Sequence, residues 1–184
     1  MSESNTLAGN SYFMLVDASR VPDVLQVVYE LIDDPEYGQL YEDTAFNDVK
    51  DVGPIWVSTE PDSPFWQHWM TTPLWVTSAI VVGFPQGQQR EALKQLSSRI
   101  EVFSPKGRPL YFRFHSPVTL ERMMPHLSDQ EKALFWGIIT SVNWLVLGEQ
   151  NEISDLRHYS QEKGESTDST SFILSPTVYD ELKA

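Results

Sequence analysis

The chain has 184 residues, 41% of them hydrophobic and 12% aromatic, with no cysteine and a formal net charge of −13. That length and apolar content suit one domain with a core of ordinary size. The lack of cysteine excludes disulfides and thiolate zinc sites, and the negative charge opposes non-specific binding to nucleic acid or to an anionic membrane, which needs a basic surface.

In chain order, residues 1–10 read as a disordered leader, without the basic and apolar regions of a secretory signal. No run approaches the ~18 apolar residues of a membrane span, so a cytoplasmic protein is expected. Tyr12–Val16 is strand-like, and residues 17–22 turn the backbone. A helix is predicted from Pro22 to Leu31 or Ile32, with Val24, Leu25, Val27, Val28 and Leu31 in one apolar stripe. Residues 36–54 are acidic and irregular, with one short strand at 39–41. Pro54–Thr59 is a second core strand. Ser63 caps a helix that starts with Pro64 and carries Phe65, Trp66, Trp69 and Met70. Residues 75–82 predict a strand and 88–99 an amphipathic helix. Residues 101–104 and 110–115 flank a turn as a β-hairpin. Ser116-Pro117 opens a helix to about Met124, and Ser128 with Glu131 forms a capping box for the next. Residues 143–147 are the last core strand. The polar stretch 149–171 reads as a flexible linker, and 172–184 as a C-terminal docking element with a Ser175-Pro176 helix start. Together these predict an α/β (α+β) domain over 11–148: a single mixed β-sheet flanked by helices, with a short C-terminal appendage.

Charge is uneven along the sequence. Residues 17–62 hold twelve acids, among them Glu42, Asp43, Asp48 and Asp51, against only Arg20 and Lys50. Such a face keeps a protein soluble, and it also steers a basic partner. No phosphate loop, dinucleotide fingerprint, HExxH or GxSxG occurs, and no two of the four histidines stand at helical ligand spacing. No cofactor or metal is expected. A serine hydrolase assembled from distant segments, beside His115 or His68, stays as an alternative. In Leu110–His115, alternation puts Phe112 and Phe114 on one face and Tyr111, Arg113 and His115 on the other. Arg113 and Asp17, both at the ends of apolar strands, are expected to form a structural ion pair. Trp66 and Trp69 stand on one wide apolar helix face whose expected place is the domain's own core, the alternative being an exposed anchor for a protein partner; Phe172 with Leu174 is the next candidate anchor.

Several segments, read in order, resemble a known family. They are Tyr12-Phe-Met-Leu-Val-Asp-Ala18, then Asp51-Val-Gly-Pro-Ile-Trp-Val57 with Pro61-Asp-Ser-Pro-Phe65. Gly107-Arg-Pro-Leu-Tyr-Phe-Arg-Phe114 with Pro117 follows, and then Ser128-Asp-Gln-Glu131 through Gly137. The sequence resembles the effector-chaperone or adaptor domain of bacterial type VI secretion, the Tap or Tec adaptors. The resemblance implies a non-enzymatic cytoplasmic protein that binds a cognate toxic effector and helps load it onto the VgrG spike protein. It departs from the family pattern at His115-Ser116, where Tyr-Asp is usual. Only 37 residues follow Leu147, too few for the larger helical lobe of many members. An immunity-type protein that binds and blocks a toxin is the alternative among binders.

Overall fold

The computed structural model describes residues 9–162 and 164–184. Positions 1–8 of the expected leader and Lys163 of the expected linker lie outside the described residues. Gly9 and Asn10 are already structured: the Gly9 carbonyl accepts from the Gln86 amide, and Asn10 opens the first strand.

The strands of the main sheet are β1 (Asn10–Asp17), β2 (Tyr37–Gln39), β3 (Pro54–Thr59), β4 (Ala79–Pro85), β7 (Ser141–Leu147) and β8 (Ile153–Ser160). Their spatial order is β2-β3-β1-β4-β7-β8. A separate two-stranded hairpin joins β5 (Glu101–Phe103) and β6 (Pro109–Tyr111). The α/β architecture is as expected, but every strand pair is antiparallel where a mixed sheet was anticipated. The helical connections from β1 to β2 and from β3 to β4 each pass over one strand, so the parallel strands they join do not pair and an antiparallel strand lies between them.

β1 lies between β3 and β4, with Leu15 opposite Trp56 on one side and Ile80 on the other. Both faces of the sheet are covered here, which is why Phe13-Met-Leu-Val16 is apolar without interruption. Alternation then divides the core in two. Phe13, Leu15, Ile80, Val82 and Val142 face α4 (Gln89–Ser97), α5 (Pro117–Met123), α6 (Asp129–Trp136) and α7 (Pro176–Lys183). Met14, Val16, Val57, Val81 and Leu145 face α1 (Val24–Leu31), α2 (Pro64–Thr71) and α3 (Pro73–Val76). The caps form as the sequence predicts. Ser63 accepts from the Trp66 amide, and Ser128 and Glu131 exchange both bonds of the capping box at 3.2 and 2.8 Å.

Three segments differ from expectation. Trp75 and Val76 belong to α3 rather than to the third strand, because Pro73 presets a helical first turn. The second hairpin strand stops at Tyr111. Phe112 and Phe114 are buried on one side and Arg113 exposed on the other, as alternation requires, but the backbone turns at Arg113–Ser116 and carries His115 inward. The expected linker contains β8, paired with β7 from Ser141–Ser160 to Leu147–Ile153. β8 is polar because it closes the sheet and leaves most of its side chains in solvent, so its composition imitates a linker.

Candidate functional site

β1 ends on Asp17, which is 3% exposed. Its carboxylate accepts from the Ser19 amide at 3.0 Å and the Ser19 hydroxyl at 2.6 Å, so the residue closes the strand with an Asx-type turn. The backbone returning from β6 brings Arg113 across, and its guanidinium donates to the other carboxylate oxygen. The structure therefore joins the two residues singled out as an ion pair, on segments 96 residues apart. The pair is asymmetric: the Asp17 side chain is 4% exposed and that of Arg113 45%.

Burial alone would raise the Asp17 carboxyl, but the Ser19 hydroxyl and the Arg113 charge, joined by His115 where its ring is protonated, outweigh it and hold it below the ordinary aspartate range. His115 is 2% exposed, and its Nδ1 has no hydrogen-bond partner among the described residues. Burial lowers its pKa to about 4, against the pull of Asp17, so the ring is neutral at physiological pH. Arg20 completes the cluster from the turn after β1. Its Nε donates to the Ser78 hydroxyl at 3.0 Å and its Nη2 to the Thr77 hydroxyl at 3.1 Å. Asp17, Arg20, Arg113, Ser116 and Thr119 line a cavity of about 180 Å³, with Val118 at its wall.

The other candidates are dispersed. Trp69 is fully buried and packs edge-on against Trp66 at 5.6 Å. Trp66 is half-buried, edge-on to Tyr12. Phe172 and Leu174 are 1% and 2% exposed and belong to the first core. Trp69, Phe172 and Leu174 are thus core residues and not surface anchors, because each lands on the inward side of its segment. Glu42, Asp43, Asp48 and Asp51 are exposed, as a docking role requires. Two of them are partly engaged: Glu42 pairs with Lys50 at 3.1 Å, and Asp51 accepts from Gln39 at 2.8 Å. A larger open groove of about 830 Å³ at the Asn10 end of β1 is lined by Asp33, Asp34, Glu36 and Glu60.

Sequence reading missed the most buried arginine. Arg99, 1% exposed, has no carboxylate partner among the described residues. Its Nε donates to the Phe135 carbonyl, Nη2 to the Leu134 carbonyl at 2.9 Å, and the same guanidinium reaches the carbonyls of Thr167 and Thr170. Leu134 and Phe135 lie in the last turn of α6, where free carbonyls and the helix dipole favour a cation. Gln95 reinforces the clamp, donating to the Phe135 carbonyl and accepting from the Thr167 amide at 2.8 Å. Burial lowers the Arg99 pKa to about 10, which leaves it charged at neutral pH. The signal was in the spacing: Ala92, Gln95 and Arg99 fall in register with Leu96 on the inward stripe of α4 and its extension.

No group of three histidine or acidic residues that would hold a metal occurs among the described residues. Within them, no serine or threonine hydroxyl is hydrogen-bonded to a histidine; the His158 ring is bonded to Asn143 at 2.7 Å. Of the two histidines named for a scattered triad, His115 is enclosed as described and His68 is half-buried, edge-on to Trp75 at 4.9 Å.

A family model described as a domain of unknown function (DUF4123) matches residues 12–134. The protein belongs to this family. No curated protein and no solved structure gave a match. The DUF4123 match runs from β1 into α6, so Asp17, Arg20, Arg113 and the whole cavity lie within it. Arg99 also lies within the DUF4123 match, while its partners Phe135, Thr167 and Thr170 lie beyond it.

Proposed function

We propose that this DUF4123 domain is an adaptor that binds a cognate secreted effector in the cytoplasm and promotes its loading onto the VgrG spike protein of a bacterial type VI secretion system. The observation that carries the reading is the family match across residues 12–134, since this family is associated with type VI secretion adaptors. Two features of the molecule fit it. Its concave surfaces include open grooves suited to a protein segment, and the one at the Asn10 end of β1 is acidic. The net charge of −13 suits a protein partner better than nucleic acid or an anionic membrane. In this reading the domain acts by binding and carries out no chemical step.

The test is co-purification of the tagged full-length protein with a candidate toxin and with a spike protein. An adaptor captures both and leaves the toxin active. Capture of the toxin alone, with loss of its activity, would assign an immunity protein instead. Capture of neither would overturn the reading.

A further inference from the structure

We propose that the cavity between Arg20 and Arg113 is a carboxylate-recognition notch that takes one Asp or Glu side chain of the effector. The proposal rests on the adaptor reading for the identity of the partner, and on the cavity itself for the chemistry.

Hydrogen-bond capacity in the cavity is in excess on the donor side. Arg113 uses only Nη2, toward Asp17, and leaves Nε and Nη1 without a partner among the described residues. Arg20 uses Nε and Nη2 on two neutral hydroxyls and leaves Nη1. The hydroxyls of Ser116 and Thr119 line the same space and make no side-chain hydrogen bond among the described residues. The strong acceptor here, the Asp17 carboxylate, is already occupied by Ser19 and Arg113. Arg20 is exposed and Arg113 half-exposed, so both guanidinium groups are open to an incoming acceptor, and such groups favour planar oxyanions.

Charge sets which oxyanion fits. Two arginines against one aspartate leave the cavity one positive charge, which a monoanion neutralises and a phosphate dianion overfills. The donors are side chains, whereas a terminal α-carboxylate is captured mainly by backbone amides. The rim favours a protein surface as the carrier, because Val118 is 55% exposed and Leu74, whose carbonyl accepts from Thr77 in the cavity wall, is 46% exposed. A desolvated charge contact ringed by apolar side chains is the arrangement that interfaces use to hold a polar anchor.

The first arm of the test needs no effector. Backbone amide NMR of the full-length protein is followed during titration with sodium acetate, with inorganic phosphate and sodium chloride as comparisons. Saturable shifts confined to residues 17–20, 77–78 and 113–119 are expected with acetate in the millimolar range, and are lost in Arg20→Gln. Shifts matched by chloride, or tighter binding of phosphate, overturn the carboxylate assignment. In the second arm, Arg20→Glu should weaken effector affinity about tenfold or more, Arg20→Lys should retain most of it, and both should melt close to the wild type. A charge-reversed acidic residue on the effector should restore binding to Arg20→Glu. Unchanged affinity in Arg20→Glu overturns the proposal while the adaptor reading stands. Effector capture that fails in the wild type overturns the adaptor reading, and the acetate arm still decides the notch.

Discussion

Two arginines hold this fold together by opposite means. Arg113 pairs a buried carboxylate from a half-exposed position, while Arg99 is wholly enclosed and among the described residues hydrogen-bonds only to neutral oxygens, with the Asp168 charge near but not in ion-pair contact. The first is an ion pair whose charge cancels in place. The second replaces the counter-ion with the carbonyl end of α6 and with two carbonyls of the C-terminal segment. A buried cation therefore does not require a buried anion, provided enough aligned dipoles meet it. The consequence is structural. Asp17–Arg113 ties the first strand to the hairpin return, whereas Arg99 ties the residues after the family match to the domain.

The comparison breaks most readily at Arg99. Arg99→Met keeps the apolar stem but leaves the carbonyls at Leu134, Phe135, Thr167 and Thr170 without their donor, so a loss of about 3–5 kcal/mol in urea unfolding is expected. Hydrogen exchange should rise at Phe103 and Leu174, whose amides bond across the docked tail. A loss below about 1 kcal/mol would show that burial of Phe172 and Leu174 alone holds the tail. Next in size is the ion pair, and its asymmetry fixes the order within it. Arg113→Ala strands a buried charge and should cost about 2–3 kcal/mol. Asp17→Ala leaves an arginine free to turn into solvent and should cost about 1–2 kcal/mol. Equal losses would mean that Asp17 is satisfied mainly by Ser19.

Acid sharpens the contrast further. His115 titrates near 6.5 when unfolded and near 4 when folded, so between those values the unfolded state binds more protons and stability falls as pH drops. The expected loss is about 1–2 kcal/mol between about pH 6.5 and 5. The contribution of Asp17, whose folded pKa is depressed, is present above its unfolded value of 3.8 and is lost only as pH falls through the folded one. His115→Leu should flatten the first part of the curve and leave the second. The Arg99 clamp, charged throughout this range, should contribute no slope. Thermal midpoints across pH check all of these.

How much of this the sequence disclosed follows from which signals are local. The caps at Ser63 and Ser128 and the doubly buried strand β1 were legible, because a single residue type or run implies them. Asp17 and Arg113 were legible because charge at the end of an apolar strand needs a partner. The edge strand β8 was not, since a strand that faces solvent carries no apolar alternation to betray it. The burial of Trp69 was legible in the wide apolar face of its helix, but the place of Phe172 and Leu174 was not, because an apolar residue on a short element shows no more than that it wants a partner, and here the domain's own core supplies it.

The smallest effect on stability belongs to the acidic surface, and it separates steering from holding. Asp43 and Asp48 are exposed, and neither side chain is engaged among the described residues, unlike Glu42 with Lys50 or Asp51 with Gln39. Asn tolerates the left-handed backbone that Asp43 adopts at φ 58°, so Asp43→Asn adds no strain. The double variant Asp43→Asn with Asp48→Asn should change stability by less than about 0.5 kcal/mol. If these acids only steer, association with the effector should slow a few-fold and lose part of its salt dependence, because exposed charges act over a Debye length of ~8–10 Å. Dissociation should stay unchanged, since it is governed by contacts made at short range. Kinetics measured across ionic strength decide the point. Faster dissociation in the double variant would place Asp43 or Asp48 inside the interface, and the acidic surface would then join the arginine notch as part of what holds the partner.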